Sequence, residues 1–308
     1  MAYLGIQTQI SRNNRNTFIL LITFPLLILA MVYAFLFITI GDKQQVGSAF
    51  TQTIPFVLLG VGVWFIIAYF ANTKIIQLAS GAQPLARKDN MRVYNLVENL
   101  CISQGMPMPK VFILEDSSLN AFASGINEKT YTVTLSRGLI DKLDDAELEG
   151  VIAHELTHIL NKDVRLLIIS IVFVGIFAFL AQIAFRRIFY SGFGGNKDRN
   201  NNAIVLIATI VITAIAYFIS MIIRFSISRS REYVADAGAA EMTRNPLALA
   251  GALRKISQDS NIESVKNESI AQLFIDHPVK KKKNSFSLDN LFATHPPIEK
   301  RIKVLEDF

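Results

Sequence analysis

Residues 151–160 read VIAHELTHIL. His154 and His158 are four apart, about one turn of an α-helix, so a helix here presents both imidazoles on one face. Glu155 stands beside the first. The remaining positions are all uncharged, as a helix buried around a metal ion requires. An HExxH helix gives two ligands to one zinc ion and leaves its glutamate next to the bound water, positioned to take a proton as that water attacks a peptide carbonyl. A catalytic zinc needs a third protein ligand and an open position. The extended HExxHxxGxxH form is excluded, because Asn161 and Val164 hold the glycine and histidine places. Of the four histidines in the chain, the other two, His277 and His295, each precede a proline and so lie on extended or turn backbone. A carboxylate from a later helix is the other solution. Glu232, in SRSREYVADAGAAEM (228–242), is the best placed. Asp236 follows one turn later, where it can accept a hydrogen bond from a ligating imidazole. Ala235, Gly238 and Ala239 permit close helix packing. The same pattern also fits a solvated face beside Arg229 and Arg231, and spacing alone leaves both readings open.

The sequence around this stretch is unusually apolar. Of 308 residues, 51% are hydrophobic, and they cluster in four segments without Asp, Glu, Lys, Arg or His: 17–40, 54–71, 166–185 and 203–223. Each is long enough to cross a hydrocarbon core of about 30 Å at about 1.5 Å per helical residue. The first run is about twice the usual signal-peptide core of roughly 7–15 residues, so it reads as a retained span. Arg12 and Arg15 precede the first span, and Lys74, Arg87, Lys88 and Arg92 follow the second, which places the N-terminus and the region after residue 72 in the cytoplasm. The single Cys101 forms no internal disulfide, consistent with a reducing compartment. Intramembrane ionisable residues, the usual mark of an ion path, are missing from all four segments, which argues against transport. The net charge of +6 is scattered and makes no case for nucleic acid.

Between the second and third apolar segments lies a polar block that reads as folded. Residues 91–104 have helical spacing, with Tyr94, Val97 and Cys101 on one face, and GMPMP then breaks the helix. KVFIL (110–114) and YTVTLS (131–136) read as strands separated by a turn-rich stretch. Asp144 and Asp145 start the helix that carries the two histidines, with Glu147 and Glu149 in its first turns. Beyond the fourth segment come the helix of Glu232, a second helix opened by Pro246, a polar region over 258–290, and a short terminal helix behind His295-Pro296-Pro297.

HELTH, then REYVADAG, then LFATHPPIEKRI in that order, with two early spans and two hydrophobic segments between the metal motifs, resembles the HtpX family of membrane zinc metalloproteases, relatives of the CAAX prenyl endopeptidases. The resemblance covers most of the chain. It implies one Zn2+ per chain on His154, His158 and Glu232, with Glu155 as general base. It also implies that NAFA (Asn120, Ala121, Phe122, Ala123) precedes an edge strand that binds substrate backbone, and that His295 and Arg301 stabilise the tetrahedral oxyanion. The fold expected is a mainly α membrane protein with four hydrophobic segments and a cytoplasmic α+β zincin-like protease domain holding a small β-sheet.

The expected organisation is an anchor of two spans over 1–72, a first protease part over 73–163, two further hydrophobic segments over 164–224, and a second protease part over 225–308. Because Glu232 must reach the ion held by the two histidines, segments 166–185 and 203–223 must both span or both not span. Length favours two spans, while Arg186, Arg187, Lys197 and Arg199 in the joining loop favour a hairpin that stays at the inner face. The two-span arrangement is adopted here. His158 lies eight residues before the third segment and Glu232 nine after the fourth, within about 15 Å of the membrane boundary. The expected activity is an endopeptidase of the bacterial cytoplasmic (inner) membrane that cleaves misfolded or damaged membrane proteins at their cytoplasmic face. A prenyl-protein endopeptidase and a zinc-binding membrane protein without catalysis are the alternatives.

Overall fold

The structure is a computed structural model that describes residues 6–40, 42–173, 175–176, 210–211, 214–215, 230–259, 273–275 and 296–308. Its contacts divide the chain into two units: Met1–Arg15, Ala71–Ile168 and Ile227–Phe308 form one, Asn16–Phe70 and Ile169–Ser226 the other.

The second unit contains most of two long helices, α1 (Ile6–Ile40) and α2 (Lys43–Ser80), whose lengths and composition suit membrane crossing. Both run through an internal proline, Pro25 and Pro55. Their flanks explain the composition: Phe56 is 75% exposed and Phe70 78%, a surface that water would penalise and lipid would not. Only one stripe of α1 is covered, including Leu20, Phe24 and Ile28. Phe173 stacks on Phe24 with ring centroids 4.4 Å apart, and the Trp64 indole donates to the Val172 carbonyl at 3.2 Å. Of the third apolar segment, residues 166–173 and 175–176 are helical. The rest of it and nearly all of 203–223 lie outside the described residues, as does the loop between them.

In the first unit, a four-stranded sheet has the order β1-β2-β4-β3, built from β1 (Gln83–Pro84), β2 (Lys110–Leu114), β3 (Ala121–Ser124) and β4 (Thr132–Ser136). β2 and β4 are parallel, with Lys110 opposite Thr132; β3 closes the far edge antiparallel to β4, with Ala121 opposite Leu135. NAFA was expected to precede an edge strand; instead three of its residues are the edge strand. The turn that makes this possible needs Gly125, at φ 112°, where an added Cβ would lie 2.4 Å from the Thr130 carbonyl oxygen.

α3 (Met91–Gln104) is capped by Asn90 and stopped by Gly105 at φ 60°, and it buries Val93, Val97, Leu100 and Cys101 while Tyr94 is half-buried. Burial raises the Cys101 thiol to about 11, so it is an inert packing residue. A short α4 (Arg137–Lys142), not foreseen from sequence, leads into α5 (Asp145–Leu160). Asp144 and Glu147 close a capping box at its start, and Lys255 binds Glu147 at 2.6 Å. α5 packs against the sheet on one side and against α6 (Ser230–Thr243) and α7 (Pro246–Ile256) on the other, with α8 (Ile298–Glu306) against α6 and α7.

The α5–α6 crossing is set by Gly238, where an added Cβ would fall 2.5 Å from Thr157 Cγ2. Thr157 cannot turn away without losing its hydroxyl bond to the Ala153 carbonyl at 2.8 Å. Gly238→Ala should therefore cost about 1–3 kcal/mol in thermal unfolding, and Thr157→Ala in the same chain should restore part of the loss. Equal stability of Gly238→Ala and the native chain would show that the helices are not held at this distance by this contact.

Candidate metal centre

α5 is buried almost throughout its middle turns, which puts His154 and Glu155 at 0% and 1% exposure. His158, one turn on, keeps 12% of its side chain exposed. The two Nε2 atoms face each other 3.2 Å apart. Glu232, from the first turn of α6, brings Oε2 to 3.7 Å from His154 Nε2 and Oε1 to 3.7 Å from His158 Nε2. One donor atom from each residue lies within 4.8 Å of the others. Tetrahedral coordination at about 2.0–2.1 Å separates neighbouring ligand atoms by about 3.3–3.4 Å. The imidazole pair falls close to that value and each imidazole has one Glu232 oxygen within 3.7 Å, so two imidazoles and a carboxylate can close on a small divalent ion with one position left over.

Charge leads to the same ion. Among the described residues, Glu155, Glu232, Asp236 and Asp163 are all at most 2% exposed, and the buried cations beside them are Arg301 and Arg231. Four carboxylates against two guanidinium groups leave two negative charges, the charge of one divalent cation. Without it, protons take over. Burial lowers the affinity of the His158 imidazole for a proton, but the Glu232 and Asp163 carboxylates outweigh it and raise the pKa to about 10. Burial raises the Glu155 carboxyl, against the opposing effect of the two histidines. Glu155 Oε1 is buried with no hydrogen-bond partner among the described residues, as a base awaiting a water would be.

Each imidazole is backed by a carboxylate. His154 Nδ1 lies 3.0 Å from Asp236 Oδ1, and His158 Nδ1 lies 3.0 Å from Asp163 Oδ2. Such a partner fixes the tautomer and turns Nε2 toward the ion. Asp236 is itself gripped by Arg301, Nε to Oδ2 at 2.9 Å and a terminal nitrogen to Oδ1 at 2.7 Å. Burial works to raise the Asp236 carboxyl, yet Arg301 and His154 hold it below the usual carboxylate range. The other terminal nitrogen of Arg301 donates to the Ile275 carbonyl at 3.1 Å. The guanidinium thus grips the carboxylate behind His154 and also reaches the front of the centre, with one terminal nitrogen 3.4 Å from His154 Nε2 and the other 3.7 Å from Glu232 Oε2. His295, the other residue expected at the oxyanion, lies outside the described residues, with His277.

A small cleft opens beside the centre, lined by Glu155, His158, Glu232, Arg231, Ala123 and Phe274 among others. Asn120, Ala121, Phe122 and Ala123 are all buried. The outer edge of β3 carries residues 273–275: Phe274 bridges Phe122 antiparallel, and Ile275 N–H donates to the Ala121 carbonyl at 2.9 Å. Two features here had no signal in the sequence. Asp163 reaches His158 only because the chain leaves α5 through Lys162 at φ 60°, a reversal invisible in spacing. The 273–275 contact rests on tertiary placement alone.

The sequence model of peptidase family M48 matches residues 87–308. The chain is 61% identical to the Protease HtpX homolog of Bacteroides fragilis over the full length of both. It is 38% identical to the Listeria monocytogenes homolog, covering 97% of this chain and 98% of that one. A crystal structure of S. mikatae Ste24p aligns over 90% of this chain and 61% of its own length, at 21% identity and a TM-score of 0.48.

Metal uptake must displace the His158 proton, which is held at any pH below about 10. Affinity for zinc, measured against a chelating dye, should therefore rise by about tenfold per pH unit for each proton displaced between about pH 6 and about pH 8. A flat profile would show that His158 carries no proton in the metal-free centre.

Proposed function

Because this chain belongs to peptidase family M48 and is a metalloprotease, we propose that it is a membrane-bound zinc endopeptidase acting on membrane proteins at the cytoplasmic face of a bacterial inner membrane. The observation that carries the reading is the convergence of His154, His158 and Glu232 beside the buried carboxylate of Glu155. In this reading residues 1–72 anchor the chain, 73–163 and 225–308 form the protease domain, and 164–224 add two further membrane segments.

His154, His158 and Glu232 hold the zinc. When bound, the ion supplies a Lewis acid that polarises the scissile carbonyl and acidifies a water. Glu155 takes a proton from the attacking water and delivers it to the departing amine nitrogen. Its buried setting raises its pKa above the ordinary carboxyl value, which favours a group that must both accept and release a proton. Asp236 and Asp163 keep the two imidazoles oriented, and Arg301 holds Asp236 in place. β3 stands at a sheet edge beside the centre, where an extended substrate can add by main-chain hydrogen bonds. A substrate strand at Ala121 and Phe122 takes the place that residues 273–275 occupy there. Two apolar helices on the same chain keep the protease at the bilayer, so that membrane proteins are its nearest substrates.

The test is Glu155→Gln in the full chain purified in detergent, with bound zinc counted and cleavage followed on casein and on a membrane protein with cytoplasmic loops. The variant should hold one zinc per chain and lose about 10²–10⁴-fold in rate. The membrane protein should be cut in preference to casein. Undiminished cleavage by the variant would remove Glu155 from the mechanism, and indifference to the membrane substrate would remove the substrate class.

A further inference from the structure

We propose that Asn13, near the start of α1, is a positioning residue for the ligand His158, acting through Asp163. The inference rests on the zinc-centre reading above. Asn13 is 4% exposed, a polar residue buried on a helix that otherwise prepares to enter lipid. Its Nδ2 donates to the Asn161 carbonyl at 2.8 Å and to Asp163 Oδ1 at 2.6 Å. The second oxygen of Asp163 lies 3.0 Å from His158 Nδ1. One amide group therefore spends both protons on the turn that follows the metal helix, and the carboxylate between amide and imidazole has one oxygen committed to each.

This arrangement does more than satisfy a helix end. The Asn161 carbonyl is among those α5 leaves without an intrahelical partner, and a water could serve it equally. Asp163 is different: it is 2% exposed and reaches His158 only because Lys162, at φ 60°, turns the chain back. A buried carboxylate relieved of one donor either rotates toward another or stays uncompensated, and both outcomes disturb the imidazole it orients. His154 has the same kind of support from within the protease fold, where Asp236 is fixed by Arg301. For His158 the equivalent of Arg301 is Asn13, and it is delivered by the helix that continues as the first candidate span (Thr8–Ile38). A shift of α1 by one residue turns that side chain by about 100° and withdraws the amide. Seating of the N-terminal helix and geometry of the metal ligand are thus linked.

The experiment uses the full chain in detergent as Asn13→Ala, Asn13→Asp, Asp163→Ala and the Asn13→Ala/Asp163→Ala pair. Zinc affinity is read by chelator competition, ligand geometry by the visible spectrum of the cobalt-substituted protein, and fold by melting of the metal-free form. Asn13→Ala should bind zinc about tenfold more weakly and shift the cobalt bands, with kcat reduced and KM little changed. Asn13→Asp keeps the shape but sets a second carboxylate against Asp163, and should weaken zinc at least as much; it decides the matter if the alanine variant does not fold. In the Asp163→Ala background the Asn13 substitution should change zinc affinity no further. Native affinity and an unshifted spectrum in Asn13→Ala, or an undiminished effect in that background, would overturn the assignment even if melting fell, since a merely structural residue behaves that way. A native chain that binds neither metal would defeat the zinc reading itself, and this inference with it.

Discussion

The structure is organised by a concentration of charge that has no water to answer it. Four carboxylates, two imidazoles and two guanidinium groups share one buried region between α5, α6, α8 and the turn after α5. Taking an ion out of water costs several kcal/mol unless partners replace the lost hydration. Each group therefore has an assigned neighbour: Asp236 has Arg301 and His154, and Asp163 has Asn13 and His158. The two negative charges left over are what a divalent cation balances. In its absence the rise of His158 and of Glu155 provides the same compensation with protons. A site built this way selects its occupant by charge as well as by donor geometry.

That cluster dictates how the surrounding helices meet. Two of the candidate ligands come from α5 and one from α6, so the helices must approach closely at the turn where Glu232 and Asp236 look across at His154. Gly238 against Thr157 sets the distance, and Ala235 and Ala239 are buried on the same helix. The capping box at the start of α5 and the Lys255–Glu147 contact hold its opposite end. Arg92 ties α3 to the turn before α5 through the Ile140 and Leu143 carbonyls, each at 2.7 Å. Stability and site geometry are consequently set by the same few helix crossings.

The apolar helices follow a different rule. Their large side chains point outward in numbers that no soluble surface tolerates, and their covered stripes are narrow. This is a membrane protein whose chemistry lies in the part of the chain that is packed inward. α1 belongs to both regimes: Asn13 is buried and hydrogen-bonded on the protease unit, and the apolar run begins four residues later. β3 is an outer strand of the sheet, and residues 273–275 lie along part of its edge.

Much of this was legible in the amino-acid sequence. Periodicity and stop signals placed α3, β2, β4, α5, α6 and α7 within a residue or two of where they lie, because capping residues such as Asn90, Asp144 and Asn245 and breakers such as Gly105 act locally. Length and the lack of charge marked α1 and α2, and helical spacing brought His154, Glu155 and His158 to one helix. Sequence could nominate Glu232 but not choose between ligand and solvated face, since that depends on which side of α6 meets α5. Arg301 showed as a cation near the terminus, while its grip on Asp236 is a contact across 65 residues of chain. Asn13 and Asp163 carried no pattern at all. They are 150 residues apart and meet through a left-handed turn at Lys162, a conformation that no spacing rule encodes. Local backbone chemistry therefore determined the elements and brought together two of the three candidate donor residues. Only tertiary packing decided which buried charges face one another, because compensation of charge away from water is a property of the assembled interior.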